Sequence, residues 1–240
     1  MDTQKIARVT GWLFIVTFVA SIPPALMLYT SVLDHPNSIV GTGADSRIAL
    51  GALLEMILII ANIGTAVVLF PLLKRQNESL ALGYVTARLM ECVFIAAGIV
   101  CVLGIVSLGQ DDPNASALAV SLAAIKDWTF LLGPGFVVGW GNGLILGYLM
   151  YRSGLVPRGM AMLGLIGGPL IILSGTLVLF NVIEPGSGAQ VIATVPEFFW
   201  ELSLGIYLIV KGFKSSSPLL AMPDVSLVDD GSPALVGAAT

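Results

Sequence analysis

The chain has 240 residues, of which 56% are hydrophobic and only 11% charged, with a net charge of −4 and a mean hydropathy of +0.95. An ordinary soluble domain carries about 25% charged residues, so 11 basic and 15 acidic side chains cannot cover a soluble fold of this length. Disorder needs low hydrophobicity and high charge, and a nucleic-acid partner needs a basic patch, so both are excluded and a polytopic membrane protein remains.

About 20 apolar residues cross a bilayer as a helix, and six runs reach that length. The first, Gly11 to Tyr29, follows Lys5 and Arg8 and contains Pro23-Pro24. It is longer than the apolar core of a cleaved signal and no small-x-small site follows it, so it reads as a retained span. An Asp34-His35-Pro36-Asn37 turn leads to the second span, Ile48 to Leu73. The third, Leu82 to Leu108, follows the basic connector Lys74-Arg75-Gln76-Asn77-Glu78 and holds Cys92 and Cys101. Their spacing corresponds to about 13 Å of helical rise, too far for a disulfide; both read as packing residues. Beyond Asp111-Asp112-Pro113-Asn114, Lys126-Asp127-Trp128 reads as solvated loop and interfacial anchor at the start of the fourth span, Trp128 to Tyr151. The fifth span, Met160 to Ile183, contains Gly168-Pro169, and the sixth is Val195 to Gly212. The expectation is an all-α, six-transmembrane-helix bundle over residues 1–214 and a disordered cytoplasmic tail over 215–240.

Lysine and arginine set the orientation. Lys5, Arg8, Lys74, Arg75, Arg152, Arg158, Lys211 and Lys214 fall at one set of ends, and only Arg47 and Lys126 at the other. Both termini are therefore expected in the cytoplasm.

Charges at bilayer depth are informative because each costs roughly 2.5–3.5 kcal/mol to insert. Glu55 lies in the second span, Arg88 and Glu91 in the third, and Glu201 in the sixth. Glu197 is one turn from Glu201 and on the same face, near the interface. Asn62 shares a face with Glu55, and Asn142 sits midway along the fourth span. Three deep carboxylates against one arginine leave two without a fixed partner, which then take a proton or a cation. Glu55, Asn62, Arg88, Glu91, Asn142 and Glu201 thus form a candidate binding site for a small molecule, a cation or protons, with Asp127, Trp128 and Glu197 around it. The competing reading is a polar clasp: Arg88 and Glu91 pair at i, i+3, the asparagines bond between helices, and no ligand is needed.

Gly135, Gly139, Gly143 and Gly147 recur every fourth residue on the fourth span, and Gly164 and Gly168 repeat the spacing on the fifth. Such stripes let helices approach closely, within the bundle or between two copies of the chain. Broken helices at Pro23-Pro24 and Gly168-Pro169 are expected to kink. No His-Glu-x-x-His, Gly-x-Ser-x-Gly, P-loop or dinucleotide fingerprint is present, so no cofactor, metal site or catalytic residue is assigned. An intramembrane enzyme is the third reading.

In its motifs the chain resembles an uncharacterised bacterial family of six-span membrane proteins, domain of unknown function family 4386. The matching pieces are Ala7-Arg8-Val9-Thr10-Gly11, Gly51-Ala52-Leu53-Leu54-Glu55, Leu82-Gly83-Tyr84-Val85 with Arg88 and Glu91, Lys126-Asp127-Trp128, Val156-Pro157-Arg158 and Leu208-Ile209-Val210-Lys211-Gly212-Phe213. The family more often carries arginine where Lys126 stands. The resemblance implies a six-helix protein of the bacterial inner membrane and no particular reaction.

Overall fold

The computed structural model describes residues 2–36, 46–108 and 114–221, and every regular element among them is helical. Helix α1 (Thr3–Pro23) starts where the Asp2 side chain accepts the Gln4 N–H. Pro24 cannot donate to the ladder, and the helix continues through Leu28 in π-helical form. A short α2 (Thr30–Asp34) follows. Helix α3 is Ser46–Leu73 and α4 is Glu78–Ser107, the latter capped by Asn77, which accepts the Leu80 N–H at 2.9 Å. The fourth span is one long run, Ala115–Ser153. It comprises α5 (Ala115–Leu132), two π-helical stretches (Gly133–Val137 and Gly139–Leu146) and α6 (Gly147–Ser153). Gly154, at φ +64°, ends it in the left-handed conformation that glycine adopts without steric cost. Helix α7 is Arg158–Leu179, uninterrupted at Pro169, and α8 is Gly188–Val210. A one-turn α9, Pro218–Ala221, follows.

Six helices are long and apolar enough to cross a membrane, as the composition requires. The boundaries differ from the sequence reading in two places that matter: the sixth span begins at Gly188 and not at Val195, and the fourth begins well before Trp128. The fourth span begins at Ala115, because Ala115 to Ile125 is an apolar, helix-compatible run, and not at Trp128. Residues 215–221, assigned by sequence to the tail, pack on the bundle. The Lys214 N–H donates to the Leu155 carbonyl, the Ser217 hydroxyl donates to the Ser153 carbonyl at 2.7 Å, and Leu219 is buried. The rest of the tail, Asn37, and Asp111 to Pro113 lie outside the described residues.

The spans form a ring in chain order. Helix α1 packs on α3, α3 on α4, α4 on the fourth span, the fourth on α7, α7 on α8, and α8 back on α1. Small residues allow close joints between the spans. A Cβ on Gly11 would lie 2.7 Å from the Gly205 carbonyl oxygen, and one on Gly143 would lie 2.4 Å from the Gly168 Cα. The partner of the fourth-span glycine stripe at Gly139 and Gly143 is thus α7 of the same chain. Gln4 Nε2 donates to the Phe213 carbonyl at 3.0 Å, so the first and last spans end side by side.

The two halves of the ring are filled differently. At the basic end one apolar core draws on all six spans, from Phe14, Leu69 and Tyr84 to Leu146, Ala161, Trp200 and Leu208. Toward the opposite end the buried clusters, such as Tyr29, Ile48, Val102 and Ala119, or Ala20, Leu58 and Ile95, come from the first four spans. Spans five and six contribute nothing to them. The ring is plugged at the basic end and hollow toward the other.

Candidate functional site

The hollow is a cavity of about 330 Å³. Its wall includes Glu55, Asn62, Arg88, Glu91, Asp127, Glu197 and Glu201, all singled out from sequence, together with Lys126. Helix spacing explains the convergence. Glu55 and Asn62 lie two turns apart on one face of α3, Arg88 and Glu91 one turn apart on α4, and Glu197 and Glu201 one turn apart on α8.

Two polar clusters line it. In the inner one, Arg88 Nη1 donates to Glu91 Oε2 at 2.7 Å and Arg88 Nη2 to Asn62 Oδ1 at 2.7 Å. Asn62 Nδ2 donates to Glu91 Oε1 at 3.0 Å, closing a ring of three side chains. All three are buried, and their mutual bonds offset much of the desolvation of the charges. In the second cluster, Lys126 Nζ donates to Glu55 Oε1 at 2.7 Å and the Tyr29 hydroxyl donates to Glu55 Oε2 at 3.0 Å. The ammonium also lies 5.0 Å from the centre of the Tyr29 ring, within cation–π range. Glycines make the room: a Cβ on Gly51 would strike the Tyr29 ring at 2.5 Å, and one on Gly98 would strike the Lys126 stem at 2.8 Å.

Here the structure corrects the sequence reading. Lys126 is not a solvated anchor; it is 4% exposed and ion-paired, because the fourth helix begins 11 residues before it and carries it into the bundle. Lys126 is the partner of Glu55, a cation that the count of deep charges left out. Asp127 is exposed at the cavity rim, and Trp128, 44% exposed, lies on the outer surface and not in the wall.

Glu197 is the second correction. The sequence reading starts the sixth span at Val195 and so puts Glu197 near the interface; α8 starts at Gly188, nine residues before Glu197, which is 2% exposed. Its carboxylate lies against the backbone where spans four, five and six meet. A Cβ on Gly143 would be 2.9 Å from Glu197 Oε2, and one on Gly167 2.7 Å from it. Neither carboxylate oxygen of Glu197 has a hydrogen-bond partner among the described residues. One turn on, Glu201 Oε1 accepts a hydrogen bond from Asn142 Nδ2. Asn142 sits in the π-helical stretch, and its carbonyl accepts both from the Gly147 N–H and from the Trp200 indole N–H, the latter at 3.0 Å. The indole thereby fixes α8 against the fourth span beside the acidic pair.

The charge count changes accordingly. Four deep carboxylates, Glu55, Glu91, Glu197 and Glu201, face two deep cations, Arg88 and Lys126. Removing the two ion pairs leaves Glu197 and Glu201, so an excess of two carboxylates persists but rests on a different pair from Glu55 and Glu201.

The sequence pattern of a family described as "Domain of unknown function (DUF4386)" matches residues 9–212, nearly the whole helical domain. The chain belongs to the DUF4386 family. No curated protein matches it, and no solved structure does. In this DUF4386 chain the matched region holds both polar clusters, the acidic pair and the cavity. Tyr29, Lys126 and the depth of Glu197 were missed from sequence. The available signals were the apolar run ahead of Lys126 and the glycines Gly51, Gly98 and Gly167 that clear space for the three side chains.

Proposed function

We propose that this multi-pass membrane protein binds a cation in its intramembrane cavity and exchanges it for a proton at Glu197 and Glu201, as a carrier does. It sits in a bacterial cytoplasmic membrane with both termini inside. The observation that carries the reading is the buried carboxylate of Glu197, without a hydrogen-bond partner among the described residues, one turn from Glu201 in the wall of the same cavity. Two carboxylates that close in a low-dielectric wall repel each other, and a bound proton or cation relieves the repulsion. One monovalent cation entering as one proton leaves keeps the charge of the pair constant.

The clasp reading has its own support, in different residues. Arg88, Glu91 and Asn62 bond to one another, as do Lys126, Glu55 and Tyr29. These two groups hold spans one to four together, and the acidic pair is left for the ligand.

The test uses proteoliposomes loaded with a pH-sensitive dye and challenged with sodium, potassium or tetramethylammonium chloride. Wild-type protein should move protons in response to at least one cation. The Glu197→Gln/Glu201→Gln variant should lose that response while eluting as a monodisperse, folded species. A silent wild-type protein, or an undiminished response in the variant, overturns the reading.

A further inference from the structure

The cavity has more to it than acidic groups. Between its charged positions the wall is apolar and aromatic, with Phe18 of the first span, Phe130 of the fourth and Phe198 of the sixth. Phe18 and Phe198 meet edge to face with ring centres 5.2 Å apart. A site for a divalent inorganic ion would gather several oxygens around one point, at 2–2.6 Å. Among the described residues no three His, Cys, Asp or Glu side chains converge in that way. The acids are instead spread along a wall that alternates with rings, and ring faces attract cations. At about 330 Å³ the space falls at the lower end of the range for small organic ligands, roughly 300–1,000 Å³.

The mouth points to the same class of ligand. Ala25, Asp127, Phe130, Thr194 and Phe198 both line the cavity and are exposed, which makes them the candidates for its mouth. Phe198 precedes the basic end of its helix at Lys211 by 13 residues, about 20 Å of rise. In a hydrocarbon layer about 30 Å thick that level is inside the apolar region, while Asp127, 25 residues before Arg152 on the fourth span, stands nearer the end away from the basic residues. A ligand entering there passes an aromatic edge, Phe130 and Phe198, and the exposed carboxylate of Asp127. An amphiphilic cation concentrates in the bilayer, with its charge among the headgroups and its apolar part below.

We infer that the ligand is an amphiphilic organic monocation that enters from the membrane past Phe130 and Phe198 and places its charge against Glu197 and Glu201. This rests on the cation-exchange reading above and names its substrate class. The apolar part lies against Phe18, Phe130 and Phe198, and the positive group supplies the partner that Glu197 lacks among the described residues.

Binding of benzyltrimethylammonium to the full chain in lipid nanodiscs tests the idea, against tetramethylammonium and the neutral isostere neopentylbenzene. Benzyltrimethylammonium should bind at least about ten-fold more tightly than tetramethylammonium, the gain expected from burying one ring among aromatic walls. Neopentylbenzene should bind weakly. The Phe130→Leu/Phe198→Leu variant should lose most of the preference for the benzyl cation, its affinity for tetramethylammonium falling much less than its affinity for benzyltrimethylammonium. The Glu197→Gln/Glu201→Gln variant should lose both cations. Equal affinity for the two cations, or an unaltered preference in the leucine variant, overturns the amphiphilic class while cation exchange stands. Binding of neither cation together with no proton response to sodium, potassium or tetramethylammonium removes both.

Discussion

Lys126 and Glu55 are 71 residues apart in sequence and meet at 2.7 Å, each nearly buried. A buried pair of this kind adds little net stability over an apolar replacement, but breaking it leaves an uncompensated charge and costs about 3–5 kcal/mol. Lys126→Met leaves Glu55 with the Tyr29 hydroxyl alone, so it should lower the unfolding midpoint in detergent substantially. Adding Glu55→Gln removes the stranded charge and should restore most of the loss. A single variant as stable as the parent would mean that Glu55 reaches water, contrary to its burial. The same logic separates Glu197. It has no cationic partner among the described residues to strand, so Glu197→Gln is expected to be neutral or stabilising in the same assay while the cation response changes.

At the level of elements, glycines decide how closely the helices carrying the site can approach. On Gly167 of α7 a Cβ would stand 2.5 Å from the Glu197 backbone nitrogen and 2.7 Å from its carboxylate. Backbone cannot yield as a flexible side chain does, so Gly167→Ala must push α7 and α8 apart. Overpacking of this kind costs about 1–3 kcal/mol. Gly159, at the start of the same helix, has nothing within 4 Å of its Cβ position. There alanine should be neutral or stabilising by up to ~1 kcal/mol through helix propensity. Thermal unfolding of the two variants side by side checks this; equal behaviour would show that the α7–α8 joint is loose. The comparison also marks what could be read in the sequence. The spans, the Arg88–Glu91 pair at i, i+3, the shared face of Glu55 and Asn62, and the glycine stripe are local patterns, and all were legible. Which helix the stripe meets, and which cation meets Glu55, are set by the order of helices around the ring. The start of the fourth span was hidden because Lys126-Asp127 looks like a loop when its partner on α3 is unknown. The π-helical stretches follow glycine and proline positions that mark irregularity without specifying its form.

The whole molecule is asymmetric along the bundle axis, and its charges follow the same axis. All six spans pack into one core at the end bearing Lys5, Arg8, Lys74, Arg75, Arg152, Arg158, Lys211 and Lys214, while the cavity lies toward the other. Orientation by basic residues counts those in loops and at span ends. Sequence alone counted two at the far end, Arg47 and Lys126, but Lys126 is buried in an ion pair and drops out. The bias rises from eight against two to eight against one, and the plugged end should be cytoplasmic. Single cysteines placed where Cys92 and Cys101 are alanine test this with a membrane-impermeant maleimide. Asn77→Cys and Gly159→Cys, both exposed beside the basic end, should label only in inverted vesicles. Glu184→Cys, exposed between α7 and α8 at the other end, should label on intact cells. Ser153, though in a basic connector, is buried under Ser217 and is the wrong reporter. The expected pattern makes the cavity mouth face away from the cytoplasm, so that a cation is taken up from the outer leaflet and the packed core of six spans must open for it to pass inward. The reverse pattern would put the mouth on the cytoplasmic leaflet, and the same acidic pair would then load from inside the cell.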